Sequence, residues 1–260
     1  MKQNDSIGDA GPAPGGVQAI ARAASVLRAL EDAPGGRSLG EIALAVGLPK
    51  STVHRLVGAM AAEGLVTPAS GGKVRLGSAL AQLGSAARRG LGEELGPLLR
   101  SLNAEIDETV DLSVLEGRGM RFLDQVPAAH RLRAVSAPGA EFPLHCTANG
   151  KAVLAALGPE AAAGLLPPRP RAFTPNTITD LQALRSELEE VRNSGVAFDR
   201  EEHTEGISAV GAAVVVDEEP VAAISVPAPT ARFRRNEERY ATAVRRAADT
   251  ASRTLAGSRA

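Results

Sequence analysis

Between Ser38 and Leu76 the apolar positions first recur at helical spacing and then alternate, and that change of period marks out the elements. Ser38 and Glu41 have the S-x-x-E spacing of a capping box, so a helix is expected to start there. Ile42, Ala45 and Val46 give it an apolar face, Gly47 suits a left-handed end, and Leu48 is free to pack back. Pro49 suits the first turn of a second helix. On that helix Val53, Leu56, Val57 and Met60 fall at i, i+3, i+4 and i+7 and face a core. Gly64 can end it. Leu65–Thr67 reads as a strand, Ser70-Gly71-Gly72-Lys73 as a turn, and Val74–Leu76 as the returning strand. Two short helices and a hairpin make a winged helix-turn-helix.

The rest of the chain divides by the same criterion. Ile20, Ala23, Ala24, Leu27 and Leu30 form a helical stripe ahead of the winged segment, closed by Asp32–Gly36. Met1–Gly16 is rich in Gly, Pro, Asp and Asn and is expected to be a disordered tail. Two helices are expected next. Ser78–Arg89 carries Leu80 and Leu83, and Glu93–Asp107 carries Leu95, Leu98, Leu99, Leu102 and Ile106. Val110–Leu115 and Met120–Val126 then alternate as strands about the turn Glu116–Gly119, with Leu132–Val135 a third strand candidate. The run from Phe142 to Leu154 leads into a helix ending at Gly158, and Pro159–Leu166 reads as a short helix. Thr177 or Thr179 is expected to cap a helix running to Gly195. Strands are expected at Val196–Phe198, Ala209–Val216 and Val221–Val226, the middle one central in its sheet because it is nearly all apolar. A helix from Asn236 to about Leu255 closes the chain. Helices mixed with mostly antiparallel strands give an α+β fold.

Polar chemistry concentrates on the second helix of the winged segment. Ser51 and Arg55 lie opposite its apolar stripe, His54 flanks them, and Lys50 and Thr52 occupy its first turn. Such a face can enter a major groove, where Arg pairs bidentately with guanine and Ser or Thr bonds base edges or phosphate; the alternative is a solvated helix face. Lys73 and Arg75 on the hairpin suit phosphate contacts that position without reading sequence. With Ser38, these are the candidate DNA-contacting residues.

Charge supports that assignment. The net charge of the 260 residues is −1, yet Val17–Ser78 holds seven Lys/Arg against four Asp/Glu. So small an excess implies that specific binding needs more than one copy. Hydrophobic residues are 44% and aromatics 2%, so the cores must be built from Ala, Val, Leu and Ile. A single cysteine, Cys146, excludes an intrachain disulfide and suits the cytosol. No apolar run approaches the roughly 18 residues of a membrane span, and no signal pattern opens the chain. A cytoplasmic protein with no membrane partner is expected.

In the second half, His145-Cys146 with His203 and Asp199 invites a Cys-nucleophile reading, which requires a thiolate-favouring setting. A lone Cys beside an apolar segment is commonly a small buried hydrophobe. His145, Cys146, Glu202 and His203 lack zinc-ligand spacing, so no metal is expected. Gly117-x-Gly119 is a hairpin turn, because no helix follows it. The better reading is a small-molecule pocket. Thr147-Ala148-Asn149-Gly150 opens a helix whose amides can face an anion, beside His145, and Lys151 adds charge.

Three stretches carry a resemblance. Gly47-Leu-Pro-Lys-Ser-Thr-Val-His-Arg-Leu56 with Gly72-Lys-Val-Arg-Leu-Gly77, Pro143-Leu-His-Cys-Thr-Ala-Asn-Gly-Lys-Ala152, and Gly195-Val-Ala-Phe-Asp-Arg-Glu-Glu202 closely resemble the IclR family of bacterial transcriptional regulators. The resemblance covers almost the whole chain. It implies a winged helix over 17–77, a linker helix over 78–92 and a GAF- or PAS-like effector-binding domain over 93–260. It also implies a homodimer or dimer of dimers on a partly palindromic double-stranded operator, most simply as a repressor, with a small organic acid as effector and no cofactor. By motif, Asp199, Ala209 and Ser225 would complete the effector site, although Asp199 also fits a cap or hairpin role and Ser225 a plain strand position. Ala209 stands where many members have Cys, and Ala212-Ala213-Val214 replaces Ala-Pro-Val. Pro227 removes an N–H donor, so a more apolar or differently oriented effector is implied. The rival readings are a Cys-dependent enzyme carrying a DNA-binding domain, a ligand-independent DNA binder, and a protein-interaction adaptor.

Overall fold

The computed structural model describes residues 16–31, 33–135 and 139–258. The tail expected over 1–16 lies outside them except for Gly16, which begins the first helix. The chain forms two compact units, one ending at Ala87 and one beginning at Arg88.

The first unit contains α1 (Gly16–Glu31), β1 (Arg37–Ser38), α2 (Leu39–Val46), α3 (Lys50–Ala62), β2 (Val66–Ala69) and β3 (Lys73–Leu76). Its core gathers Val26 and Leu30 of α1, Ile42 of α2, Val53, Val57 and Met60 of α3, and Val66 of β2. The capping box forms as expected. The Ser38 hydroxyl accepts from the Glu41 amide at 3.3 Å, and the Ser38 amide donates to the Glu41 carboxylate at 2.7 Å. Gly47 ends α2 in the left-handed region at φ 64°. Pro49 is the cap residue before α3, one position earlier than expected.

Two apolar stripes are turned from their expected position. Ile20 is 74% exposed and Val26 takes the buried place on α1, so the seam runs through Ala23, Val26, Leu27 and Leu30. On α2, Ala45 is exposed, and Ile42 is flanked instead by Leu39, Ala43 and Val46.

The wing is a three-stranded antiparallel sheet in the order β1-β3-β2. A two-residue β1 carries no periodicity and was not expected. β2 and β3 are joined by a 3-10 turn at Ser70–Gly72 and pair from Val66↔Leu76 to Ala69↔Lys73. At the base of the wing the Gly77 amide donates to the Leu65 carbonyl at 2.8 Å. A Cβ on Gly77 would overlap the Gly64 carbonyl oxygen and stand 2.9 Å from the Leu65 carbonyl carbon, both rigid backbone. Gly77→Ala is therefore expected to destabilise the first unit by about 1–3 kcal/mol. Faster amide exchange confined to β2 and β3 would report it, and unchanged exchange would refute it.

The helix α4 runs unbroken from Ser78 to Ile106, with Pro97 inside it. The break expected between Arg89 and Glu93 is absent. Leu91 packs on the same core as Leu95, Leu98, Leu99, Leu102 and Ile106, and that stripe outweighs the roughly 1 kcal/mol penalty of Gly90 and of Gly92.

The second unit continues with β4 (Val110–Glu116), β5 (Gly119–Val126), β6 (Glu141–Pro143), α5 (Ala148–Leu157), α6 (Pro159–Leu165), α7 (Leu181–Ser194), β7 (Ala197–Arg200), β8 (Ile207–Val216), β9 (Glu219–Pro229) and α8 (Thr230–Gly257). The six strands form one antiparallel sheet in the order β6-β5-β4-β9-β8-β7. Register shifts at Leu112/Ser113 and Val214/Val215 bend it. Alternate residues of β8 and β9 serve two cores. Val210, Val214, Ile224 and Val226 pack with Leu99 of α4 and Phe233 and Val244 of α8. Ala213 and Ala223 pack with Leu154 of α5 and Leu184 and Leu188 of α7. Both faces are covered, which explains why β8 reads as a continuous apolar run although the sheet is antiparallel. β8 lies one strand in from the β7 edge, not at the centre.

Three local expectations are corrected. Leu132–Val135 is not a strand: Leu132 and Val135 are 69% and 63% exposed, and only Ala134 is buried, its carbonyl accepting from the Thr109 hydroxyl at 2.8 Å. The third hairpin strand is β6. Asp180, not Thr177 or Thr179, caps α7, its carboxylate accepting from the Ala183 amide at 2.7 Å. Burial of Phe233 extends α8 back to Thr230.

Candidate nucleic-acid interface and ligand cavity

On α3 the buried stripe of Val53, Val57 and Met60 leaves Lys50, Ser51, His54 and Arg55 exposed and Thr52 half-buried. Lys50 and Arg55 have no hydrogen bond or ion pair from their side chains among the described residues. On β3, Lys73 and Arg75 are exposed and two residues apart, so both stand on one side of the wing while Val74 packs on the core. Ser38 differs: its hydroxyl is committed to capping α2.

In the second unit a cavity of about 290 Å³ opens between the start of α5 and the sheet. Thr147, Ala148 and Asn149 line it from α5, Asp199 from β7, Ala209 from β8 and Ser225 from β9. Strand register explains why residues so far apart in sequence meet. Asp199 stands opposite Ala209, and Gly211 opposite Ser225, on the sheet face that points away from α8. A Cβ on Gly211 would stand 2.9 Å from the backbone of Ala148 and Asn149, so glycine there lets the α5 terminus sit directly on β8. The Thr147 hydroxyl ties that terminus down, donating to the Pro143 carbonyl at 2.8 Å and accepting from the Gly150 amide at 3.2 Å. Asn149 donates to the Ser113 hydroxyl at 2.8 Å.

Two expected residues lie elsewhere. Gly150 is packed behind the cavity, where a side chain would strike Leu144. His145 points away and shares a hydrogen bond of 2.9 Å with the Arg171 carbonyl. Lys151 is not at the surface: it is fully buried and paired with Glu187 and, at 2.5 Å, with Glu202. Sequence reasoning missed the cavity's other walls, which are Phe122, Phe142, His203, Thr204 and Ile207 with Arg133–Val135. Phe122 and Phe142 meet edge to face at 5.0 Å, and Phe142 and His203 at 4.6 Å. The pairing of β5 with β6, itself unforeseen, makes that wall.

Burial governs the electrostatics. It raises the Asp199 carboxyl from 3.8 to about 7, with Glu202 adding to the rise. Opposing it, the Glu202 and His203 amides donate to Asp199 Oδ1 at 2.7 and 3.4 Å, and Lys151 lies nearby. Burial also lowers the His203 imidazole, with His145 contributing. The Cys146 thiol is pushed up to about 12 by burial first, then by Asp199 and Glu202. A thiol held protonated at neutral pH is a poor nucleophile, which disfavours the cysteine reading.

Residues 19–69 match the IclR helix-turn-helix domain, and residues 84–253 match the C-terminal domain of the bacterial transcriptional regulator IclR. The chain belongs to the IclR family. It is 50% identical over 231 residues to the HTH-type transcriptional regulator Rv1719 of Mycobacterium tuberculosis, covering 88% of this chain and 89% of that protein. It is 35% identical over 230 residues to the transcriptional repressor IclR of Escherichia coli, covering 85% and 84%. Among solved structures it is similar to an IclR homologue from Microbacterium hydrocarbonoxydans complexed with 4-hydroxybenzoate (TM-score 0.60, 25% identity, covering 91% and 98%). As an IclR-family member the chain is a DNA-binding transcriptional regulator with a C-terminal ligand-binding domain. Its relatives are named as regulators rather than enzymes. No helix among the described residues is long and apolar enough to cross a membrane.

Proposed function

We propose that the chain is an effector-responsive repressor that works as a dimer or dimer of dimers, with α3 of each copy in a major groove of one operator. The observation that carries this reading is the outward guanidinium of Arg55, unpaired among the described residues on a helix whose other side is locked into the core. Arg55 reads a base; Lys50, Ser51, Thr52 and His54 assist; Lys73 and Arg75 hold phosphates. Ser38 contributes by fixing α2 against α3. Removing Arg55 as Arg55→Ala is expected to cost about 1–3 kcal/mol in operator binding and to relax specificity at one position. Removing Lys73 and Arg75 is expected to weaken all sequences alike and to flatten the salt dependence. A band-shift titration in which Arg55→Ala binds as tightly as wild type would overturn the assignment.

The effector is a small organic acid with a flat apolar body. Phe122, Phe142 and the neutral His203 ring offer it an aromatic wall, and the Arg133 guanidinium a partner for its carboxylate. Thr147, Asn149 and Ser225 orient it. A homologue that binds 4-hydroxybenzoate supports the class and supplies the first probe. Only differential affinity for two states can release the operator, and α4, which contributes residues to both units, is the covalent route between them. A bound aromatic acid that leaves operator affinity unchanged would show that the cavity is not a switch.

A further inference from the structure

A second cavity of the same unit, about 380 Å³, has chemistry that the regulator reading does not use. Arg118, Arg169 and Arg171 line it together with His145, Phe173 and Leu166, and no carboxylate does. None of the three guanidiniums has a carboxylate partner among the described residues. Three arginines without a carboxylate partner lining one hollow, in a chain whose net charge is −1, call for an anion.

Two of the three are already held in place. Arg118, in the turn between β4 and β5, donates to the Leu165 and Gly164 carbonyls at 3.1 and 2.6 Å, which leaves its Nη1 edge unused. The Arg171 guanidinium lies 5.0 Å from the centre of the Phe173 ring. The loop that carries them reads Pro167-Pro168-Arg169-Pro170-Arg171-Ala172-Phe173, and residues 167, 169, 171 and 173 line the cavity while 168, 170 and 172 do not. That alternation presents every second side chain of the loop to one side, and its three prolines restrict the backbone. Little ordering entropy is left to be lost when an anion binds.

We propose that this cavity is a second ligand site, specific for a small organic molecule that bears a dianionic phosphoryl group. A monocarboxylate can engage one guanidinium fork and leaves the other two uncompensated. A phosphate monoester brings nearly two negative charges and three acceptor oxygens, enough to satisfy the free edges of Arg118, Arg169 and Arg171. The carbon part of the ligand lies against Phe173 and Leu166. The site is distinct from the effector cavity: Phe173 bounds this one, His203 bounds the other, and their rings stand 5.1 Å apart.

Titration calorimetry on the full chain with phenyl phosphate, benzoate and inorganic phosphate tests the site. Phenyl phosphate is expected to bind this cavity at one site per chain, at least about tenfold more tightly than benzoate binds the same cavity, and more tightly than inorganic phosphate because Phe173 and Leu166 receive its ring. The double variant Arg169→Ala/Arg171→Ala is expected to weaken it by about 10- to 100-fold. Both side chains are exposed and only Arg171 has a side-chain contact, so the fold should tolerate the change; the single variant Arg169→Glu gives a second, independent measure. Arg133→Ala, which alters the effector cavity alone, is expected to leave phenyl phosphate binding at its wild-type strength. Absence of binding, full binding by the double variant and by Arg169→Glu, or loss of binding in Arg133→Ala would each overturn the proposal.

Discussion

Lys151→Ala is expected to destabilise the second unit by about 3–5 kcal/mol, the cost of breaking a buried ion pair by removing one partner. Lys151 is fully buried, and its ammonium sits between the Glu187 and Glu202 carboxylates. The two partners would fare differently without it. The Glu187 side chain is 24% exposed and can regain water, whereas the Glu202 side chain is 7% exposed and cannot. Glu202 Oε2 already lacks a hydrogen-bond partner among the described residues, so Lys151 supplies most of the compensation for that charge. Burial, the largest influence, holds the Glu202 carboxyl above its ordinary range even with the ammonium present. Removing the ammonium would raise it further. The native variant would then hold a proton that the unfolded chain has lost, so its stability falls as pH rises and recovers in acid. Lys151→Met should be nearly as damaging, because its apolar stem packs without offsetting the charge. Adding Glu202→Gln to Lys151→Met should restore much of the loss, a coupling that a double-mutant cycle in urea would measure. Equal melting of wild type and Lys151→Ala at all pH values would show that the pair is dispensable.

What could be read from the sequence divides along a physical line. The winged helix was legible because its determinants are local: Ser38 and Glu41 sit three residues apart, Gly47 ends a helix, and the α3 stripe repeats within two turns. The α+β class and most strands of the second unit were legible for the same reason. The failures depend on distant partners. In the sequence Lys151 is only an added charge at the helix start, because the glutamates that bury it lie 36 and 51 residues away. Leu132–Val135 alternates like a strand but finds no neighbour, because β6 takes the place beside β5. Asp199, Ala209 and Ser225 came from the family resemblance, and the register then accounts for their meeting. The aromatic wall carries no sequence signal, since Phe122, Phe142 and His203 belong to three separate segments. His145 and Gly150 illustrate the opposite error. They are neighbours of cavity residues in sequence, but the chain turns into a helix there and successive side chains point in different directions.

Asp199→Asn is expected to stabilise the unliganded protein above neutral pH. The carboxyl titrates at about 7 in the folded chain against 3.8 ordinarily. Between those values the native state keeps a proton that the unfolded state has released, so this group's contribution to stability declines as pH rises through that window. Above it the folded chain holds a buried charge, at a cost whose ceiling is about 4 kcal/mol. Asparagine keeps an acceptor oxygen for the Glu202 and His203 amides and carries no charge. The variant should therefore match wild type near pH 4 and exceed it increasingly up to about pH 8, in urea titrations at matched ionic strength. Effector binding gives the same sign from the other side. An anion in the cavity raises the Asp199 carboxyl further, so its binding takes up a proton. Wild-type affinity for an aromatic acid such as 4-hydroxybenzoate should then fall by up to about tenfold per pH unit above neutrality, while Asp199→Asn stays flat. Calorimetry in two buffers of different ionisation enthalpy would count the proton directly. A proton count of zero in wild type, together with equal stability of the two proteins across the range, would mean that Asp199 is ionised throughout and takes no part in the cavity's preference.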